Sequence, residues 1–328
     1  MTEMVWPTET TAAAESRQQF AHDVQYYLAQ DPRQLPSRYL YDALGSALFD
    51  AICRLPWYGL TRAEERLLRD HVGEILGHDQ HPPVIVELGP GSGEKLAILL
   101  ERAERHSSES RLHLIDISSS ALDRAVRTIT SLGNIQAVAH LGTYEAGLAE
   151  FTRVRPNDQR ALVLFLGSNI GNFDEAGGAA LLRAVRRSLR RGDTFLLGAD
   201  LVKPERELLL AYDVPLGVTA AFNRNLLVRI NRELGGDFDL DAFRHRTVWN
   251  AAHSRIEMHL VSQRRQRVRI ARAQLDFEMA EGESIWTESS YKYTPEGIAS
   301  LLGGCGFEVK AQWIDATDRF ALTHAAAI

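Results

Sequence analysis

The middle of the chain alternates between short apolar segments and stretches with helical spacing. The apolar segments lie at 84–88, 112–117, 135–140, 162–166 and 194–201. Strands that are apolar on both faces need cover on both sides, which is typical of parallel sheets flanked by helices. Helical spacing at 94–105, 120–130 and 175–190 supplies that cover. The alternation therefore predicts βαβ units and an α/β fold with a doubly wound sheet.

A different pattern follows residue 203 and predicts a second unit of mixed α+β structure. Helical spacing recurs at 205–212 and 223–234, and apolar and polar residues alternate at 255–261 and 268–270. The C-terminal part returns to the sheet, with a helix predicted at 295–305 and a closing strand pair at 308–313 and 319–324. We predict a sheet domain from 62–203 plus 292–328 and a second, α+β domain from 1–61 plus 204–291.

Charge and cysteine content narrow the class of function. The chain has 43 acidic and 37 basic side chains, a net charge of −6, whereas nucleic acids and anionic lipids normally bind basic surfaces. Cys53 and Cys305 form neither a disulfide framework nor a CxxC site. The sequence has no apolar run of membrane-spanning length and no secretory leader pattern. We expect a cytoplasmic protein with no nucleic-acid partner and no membrane association.

Two clusters of polar residues in the second domain have simple explanations. The basic run at 264–272 predicts a solvated strand or hairpin, because the chain is acidic overall. His253, Glu257 and His259 lie close in sequence but do not reproduce HExxH on a helix. We therefore expect no metal site.

A glycine-rich turn follows the first apolar segment, in the sequence Val84-Ile-Val-Glu-Leu-Gly-Pro-Gly-Ser-Gly93. Gly89, Gly91 and Gly93 let a ligand approach the backbone, and the following helix offers free N–H groups. A tight strand-to-helix turn can also need glycine for structural reasons alone. Asp116 ends the next apolar segment, 23 residues after Gly93, where its carboxylate can accept both hydroxyls of a ribose. The two features together predict a nucleoside site.

The charge beside the turn indicates which nucleoside binds. The GxGxxG spacing of NAD enzymes and the GKS or GKT of a phosphate-binding loop are both absent. Glu87 would repel a pyrophosphate but suits a cation, and S-adenosylmethionine carries a sulfonium and an ammonium without a phosphate. The pattern Glu-x-Gly-x-Gly-x-Gly with a downstream Asp resembles motifs I and II of class I methyltransferases. We predict S-adenosylmethionine as the cofactor.

A narrower resemblance covers nearly the whole chain. The sequence is similar to the L-histidine Nα-methyltransferases of ergothioneine biosynthesis. The motifs that carry the resemblance are spread along the chain: Arg38-Tyr-Leu-Tyr-Asp42 with Gly45-Ser46, Leu55-Pro56, Thr61-Arg62, the glycine turn with Lys95, 167–172, Ala211-Tyr212-Asp213, 217–220, Phe222-Asn223, 229–234, 255–259 and 288–293.

The resemblance implies an enzyme that trimethylates the α-amine of L-histidine with S-adenosylmethionine and gives hercynine, the first step of ergothioneine biosynthesis. It implies a class I sheet, a second α+β domain and substrate bound between the two domains. Tyr41 and Tyr58 match positions near the reacting amine. The matching substrate positions are Tyr58, Asn172, Tyr212, Phe222, Met258, Glu288 and Ser290. The matching cofactor positions are Glu87, Gly89, Gly91, Gly93, Lys95, Asp116, Thr143, Tyr144 and Gly167.

The imidazole pocket is the part that decides the substrate. Glu288 and Ser290 are two residues apart, so in an extended segment both point to one face, and together they can engage both ring nitrogens. Without the resemblance they would be a solvated strand face, and Met258 would belong to a core stripe. The same chemistry on tryptophan or tyrosine, and a silent cofactor-binding module, stay open as alternatives. We expect a monomer.

The chain departs from the family pattern at three places. Trp57 and Gly59 flank Tyr58 where the family usually has a carboxylate and a second tyrosine. Thr143-Tyr144 stands where Asp-Phe is common at the adenine edge, and Gly93 stands where Ser or Thr is frequent. A hydroxyl at Thr143 can still accept a hydrogen bond from the adenine amino group.

Overall fold

The computed structural model describes residues 9–77, 83–103, 111–133, 135–156 and 159–328. The α-helices in these ranges are α1 (Glu9–Leu28), α2 (Ala43–Cys53), α3 (Leu60–Leu76), α4 (Glu94–Ala103), α5 (Ser119–Thr130), α6 (Tyr144–Val154), α7 (Glu175–Ser188), α8 (Glu205–Tyr212), α9 (Val218–Leu234) and α10 (Pro295–Gly304). The strands are β1 (Arg33–Gln34), β2 (Val84–Leu88), β3 (Arg111–Asp116), β4 (Gln136–Leu141), β5 (Ala161–Phe165), β6 (Thr194–Asp200), β7 (Phe243–Asn250), β8 (Arg255–Ser262), β9 (Gln266–Ile270), β10 (Leu275–Met279), β11 (Ser284–Tyr291), β12 (Phe307–Asp315) and β13 (Phe320–Ala327).

The chain divides into two compact units, which we call the sheet unit and the mixed unit. The sheet unit comprises Gly59–Lys203 and Tyr291–Ile328, and the mixed unit comprises Met1–Tyr58 and Pro204–Ser290. The domain boundaries drawn from the sequence, at 61/62, 203/204 and 291/292, stay a prediction.

The sheet unit contains a sheet with the strand order β4-β3-β2-β5-β6-β13-β12. The five strands from β2 to β6 run parallel, and β13 and β12 close the sheet as an antiparallel pair. Because β2 lies between β3 and β5, the direction of winding reverses beside β2, and ligands of doubly wound sheets bind at the carboxyl ends of strands at such a point. The α/β class predicted from the sequence, with a mainly parallel sheet and a closing strand pair, is confirmed.

Helices cover this sheet through apolar side chains at helical spacing. α6, α7 and α10 share one core with β2, β5 and β6, in which Phe151, Phe165 and Phe195 are fully buried. Burying each such side chain contributes roughly 1.5–3 kcal/mol. A second group of helices packs in sequence: α3 contacts α4, and α4 contacts α5. The predicted helix at 94–105 corresponds to α4, and its predicted last two residues lie outside the described ranges.

A buried ion pair anchors the start of the parallel strands. Asp193 and Arg155 are each 2% exposed, and their oxygens and nitrogens lie 2.5 and 2.6 Å apart. The Asp193 carboxylate also accepts from the backbone N–H groups of Ala161 and Arg190. These contacts join the turn before β6 to the start of β5, since every polar atom of a buried carboxylate needs a partner.

The mixed unit contains a four-stranded sheet in the order β1-β11-β8-β7 and a separate β9–β10 hairpin. α9 contacts β7, β8 and α2, and α8 contacts β7 and β8. α9 begins at Val218, five residues before the predicted start, because Gly217 precedes it with a φ of +71° and allows a sharp entry. The α+β character predicted for this unit is confirmed.

Candidate cofactor and substrate sites

The glycine turn lies at the carboxyl end of β2. Gly89, Gly91 and Gly93 have φ values of +72°, +56° and +80°, a region that side chains rarely adopt. The Gly89 N–H donates to the carbonyl of Ile115 in β3 at 2.9 Å, which holds the turn against the neighbouring strand. The sequence therefore needs glycine at all three positions for backbone reasons, whichever ligand binds.

The space around each glycine separates structural from ligand-binding roles. A Cβ on Gly93 would lie 3.0 Å from the Cα of Ala125, so this glycine lets α5 approach the turn, which accounts for the departure from Ser or Thr. A Cβ on Gly91 would meet nothing within 4 Å. Gly91 therefore faces open space, as expected where a ligand approaches the backbone. The turn fits the cofactor predicted from the sequence.

Glu87 is buried on β2, directly below the turn. It is 2% exposed, and among the described residues its Oε2 has no hydrogen-bond partner. Burial raises the pKa of Glu87 to about 8, the charge of Lys95 opposes this rise, and the charges of Glu64 and Asp116 add to it. A buried carboxyl oxygen in this position fits a cationic group such as a sulfonium.

Asp116 ends β3 beside the turn. Its Oδ1 accepts from the Ser118 N–H at 2.8 Å, and burial raises its pKa to about 6, while hydrogen bonds from Ser118 and Ile117 oppose the rise. Donated hydrogen bonds from ribose hydroxyls would favour the ionised form. The position suits the predicted ribose contact.

Thr143 and Tyr144 begin α6. The Thr143 hydroxyl accepts from the Ala146 N–H at 3.3 Å and caps the helix, which leaves its second lone pair for an adenine amino group. Burial raises the pKa of the Tyr144 phenol, which stays protonated. A Cβ on Gly89 would lie 2.9 Å from the Tyr144 hydroxyl oxygen, so the structure brings Tyr144 to the glycine turn.

Lys95 and Gly167 meet around a carboxylate that the sequence did not single out. Glu64 of α3 accepts from the Gly167 N–H at 2.8 and 2.9 Å and pairs with Lys95 Nζ at 2.5 Å. The position of Glu64 could have been found, because it falls on the apolar stripe formed by Leu60, Leu67, Leu68, Val72 and Ile75. A charged residue on such a stripe is buried and needs partners.

Asn172 ends a short 3-10 helix, Asn169–Asn172, that follows β5. The segment enters through Ser168, whose φ is +58° and whose hydroxyl accepts from the Asp200 N–H at 2.9 Å. The Tyr293 hydroxyl donates to the Ile170 carbonyl at 3.2 Å. Asn172 thus lies in the sheet unit with the cofactor residues, and its contact with the amino acid stays a prediction.

Five aromatic rings of the mixed unit form a cluster around the predicted substrate residues. Tyr41 lies 5.5 Å from Phe49 and 5.6 Å from Phe222, and Tyr58 lies 6.3 Å from Phe49 and 6.1 Å from Tyr212, between ring centroids. Most of these pairs are edge-to-face, an arrangement that aromatic rings prefer. The structure therefore brings together Tyr41, Tyr58, Tyr212 and Phe222.

Glu288 and Ser290 lie on β11, where residues two apart share a face. Both are buried, with 9% and 5% exposure, so they are not the solvated strand face that the pattern alone would suggest. The hydroxyls of Ser290 and Tyr212 are hydrogen-bonded at 2.8 Å. Met258 is buried on β8 beside Ile256 and Leu260 in the expected core stripe. Its role beside the imidazole stays a prediction.

Residues of β7 and α9 fix the position of Tyr212. His245 Nε2 and the Thr247 hydroxyl both contact the Tyr212 carbonyl, at 3.0 and 3.1 Å, and the Asn223 amide donates to His245 Nδ1 at 2.9 Å. This pattern places the proton on Nε2, and burial lowers the pKa of His245, which is therefore neutral. Sequence reasoning missed His245, whose signal is a polar residue two positions after Phe243 on the buried face of β7.

The basic run forms the predicted solvated hairpin. Arg264, Arg265 and Arg267 are exposed and pair with Asp239, Glu278 and Asp276. These three arginines each have an acidic partner, which neutralises this part of the hairpin surface.

The described part of the chain was compared with the requirements of a metal site and of a membrane-spanning helix, and it meets neither. Over the described ranges, no three His, Cys, Asp or Glu side chains are arranged to hold a metal ion. Among the helices of those ranges, none combines the length and apolarity of a membrane span.

Comparison with known proteins identifies relatives over almost the full length. A model of the family described as "Histidine-specific methyltransferase, SAM-dependent" matches residues 20–327. Histidine N-alpha-methyltransferase of Mycobacterium tuberculosis is 40% identical over 93% of this chain and 94% of its own. The enzyme of the same name from Mycolicibacterium smegmatis is 40% identical over 96% of this chain and 97% of its own. Ergothioneine biosynthesis protein 1 of Neurospora crassa is 27% identical over 81% of this chain and 32% of its own. The chain belongs to the histidine-specific, S-adenosylmethionine-dependent methyltransferase family.

Proposed function

We propose that this protein transfers three methyl groups from S-adenosylmethionine to the α-amine of L-histidine and gives hercynine, as the first step of ergothioneine biosynthesis. Family membership supports the reaction class, and the names of the mycobacterial and fungal relatives support the amino acid and the pathway. The open space at Gly91 and the unpartnered carboxyl of Glu87 support the cofactor.

The observation that carries the choice of substrate is the buried polar pair of β11. A carboxylate at Glu288 accepts from one imidazole N–H, and the hydroxyl of Ser290 bonds the second ring nitrogen. Ser290 is oriented by Tyr212, which is itself fixed by His245 and Thr247. Indole has a single ring nitrogen and could not bond both side chains, and a pocket built to hydrogen-bond two ring nitrogens rejects an analogue that lacks one of them.

The chemistry is a displacement that needs little from acid or base groups. When bound, S-adenosylmethionine would supply an electrophilic methyl carbon on a sulfonium: the amine lone pair would form the new N–C bond as the C–S bond breaks, S-adenosylhomocysteine would leave, and the ammonium would release a proton to solvent before each of the next two transfers. The protein orients the two reactants and excludes water. We place Tyr41 and Tyr58 near the amine. Asn172 and Tyr212 hold the carboxylate and the amine of the amino acid. Neutral amide and phenol groups bind these without repelling the ammonium that forms at each methylation, and π faces attract a cation.

The test is mass spectrometry of reactions that contain the protein, S-adenosylmethionine and each of the twenty amino acids in turn. We expect a gain of three methyl groups on histidine alone. Methylation of tryptophan or tyrosine instead of histidine would identify that amino acid as the substrate. Cofactor binding without any turnover would identify the protein as a silent binding module. Ser290→Ala and Ser289→Ala form a matched pair of variants. Residue 289 points to the other face of β11, so Ser289→Ala should keep full histidine activity.

We also propose that the protein is a monomer and acts in the cytoplasm. Within the described residues Cys53 and Cys305 form no disulfide, which supports a reducing compartment. Light scattering across a range of protein concentrations tests the first statement, and fractionation of cells tests the second.

A further inference from the structure

Glu64 carries a buried carboxylate, and the cofactor site predicted from the sequence assigns no role to it. Its exposure is 0%, although burying an ionised carboxylate is costly unless partners surround it. The partners are the Gly167 N–H, at 2.8 and 2.9 Å from the two carboxylate oxygens, and Lys95 Nζ, at 2.5 Å from Oε2. Both partners are residues of the predicted cofactor site, on α4 and after β5.

The surrounding backbone leaves room for this arrangement. A Cβ on Gly198 of β6 would lie only 1.9 Å from Glu64 Oε1, so a larger residue there would displace the carboxylate. A Cβ on Gly167, whose φ is +75°, would lie 3.1 Å from Lys95 Nζ. Gly198 of β6 and Gly167 in the turn after β5 therefore border the pair.

We propose that Glu64 is a positioning residue that holds Lys95 and the Gly167 turn so that Lys95 pairs with the α-carboxylate of S-adenosylmethionine. The inference rests on the proposed function, since it requires that cofactor. The α-carboxylate is the single anionic group of the cofactor, and Lys95 is a cation placed beside the glycine turn. Its ammonium has three donors and can keep Glu64 while it bonds a second carboxylate.

Glu64 also fixes the position of the Lys95 ammonium. The charge of Lys95 acts on Glu87, and its Nζ pairs with Glu64 Oε2 at 2.5 Å. Without the charge of Glu64, Lys95 would lose this partner, and its ammonium would no longer be held in place for the α-carboxylate of the cofactor. Loss of Glu64 therefore affects the methionine end of the cofactor and spares the adenosine end.

The experiment compares two ligands by calorimetric titration in the absence of histidine. S-adenosylhomocysteine retains the α-carboxylate, whereas 5′-methylthioadenosine has the same nucleoside without it. Glu64→Gln keeps the shape and removes the charge. We expect its Kd for S-adenosylhomocysteine to rise about 10-fold to 100-fold, with the Kd for 5′-methylthioadenosine within about twofold of the parent value. Glu65→Gln on the same helix is the matched control, because Glu65 pairs with Arg69 in a partly exposed i,i+4 contact.

A double-mutant cycle with Lys95→Met separates positioning from a general loss of structure. We expect Glu64→Gln to add almost nothing once Lys95 is replaced, since both changes remove one interaction. If the Glu64→Gln variant does not fold, the same two titrations are made with Gly198→Ala, which displaces the carboxylate without changing a charge. Equal weakening of both ligands, or additive effects in the cycle, would overturn the proposal. A parent protein that binds neither ligand would instead refute the proposed function.

Discussion

Glu87 should make the affinity for S-adenosylmethionine depend on pH. Its pKa of about 8 in the ligand-free protein, raised by burial, means that the carboxyl is protonated at neutral pH. The sulfonium and ammonium of the cofactor favour the ionised form, so binding releases a proton below this pKa. The affinity must then rise with pH until Glu87 is ionised in both the free and the bound protein.

The magnitude follows from one released proton. Kd falls tenfold for each pH unit below the pKa, so it should decrease by about tenfold between about pH 6.5 and about pH 7.5. Asp116, with a pKa of about 6, is mostly ionised above this lower limit. The α-amine of the cofactor titrates at about pH 8, so the Kd measurements should stay below this pH.

Calorimetry in two buffers with different ionisation enthalpies measures both Kd and the number of protons released. Glu87→Gln removes the titrating group and should give a flat profile with no proton release in this range. Glu94→Gln removes an exposed acid at the start of α4 and should keep the slope. A slope that persists in Glu87→Gln, or a parent protein that releases no proton, would show that Glu87 does not face the cationic part of the cofactor.

Three further changes test separate parts of the structure. Gly91→Val should raise the Kd for S-adenosylmethionine by at least about tenfold, because the side chain would occupy the open space beside the turn and a φ of +56° strains a branched residue. Glu288→Ala should lower kcat/KM for histidine by about 30-fold to 1000-fold with unchanged cofactor affinity, and full histidine activity in this variant would disprove the imidazole contact. Asp193→Ala leaves Arg155 buried without its partner and should lower the free energy of unfolding by about 3–5 kcal/mol in urea titrations; a loss below about 1 kcal/mol would contradict the buried ion pair.

The parallel sheet could be predicted because its signal is local and strong. The segment 84–88 matches β2, and the other parallel strands differ from prediction by one residue at one or both ends. The central strands β2 and β5 are buried along their whole length, so a continuous apolar run marks their limits. The start of α9 was predicted five residues late, because the entry to this helix is set by the positive φ of Gly217 and not by an apolar pattern.

The helices before the sheet and much of the mixed unit could not be assigned from periodicity. In α3 the buried Glu64 interrupts the apolar stripe, and its partners come from residues remote in sequence. His245 shows the same difficulty, because its partners Asn223 and Tyr212 lie on two different helices. Gly59 departs from the family pattern, and the structure gives the reason: a Cβ there would lie 2.0 Å from Asp318 Oδ1. Each of these contacts depends on tertiary structure that one sequence does not display.

The interruption of the sheet unit by Pro204–Ser290 has a consequence for synthesis on the ribosome. When β6 emerges, five parallel strands can pair, but β6 remains an open edge until β13 arrives more than a hundred residues later. An unpaired apolar edge strand is a template for pairing with another chain. The whole mixed unit must be translated during this interval, and domains generally fold as units as they emerge. Emergence of β13 therefore completes the pairing of β6, so a nascent chain truncated before residue 320 should be far more prone to aggregation than one that includes β13.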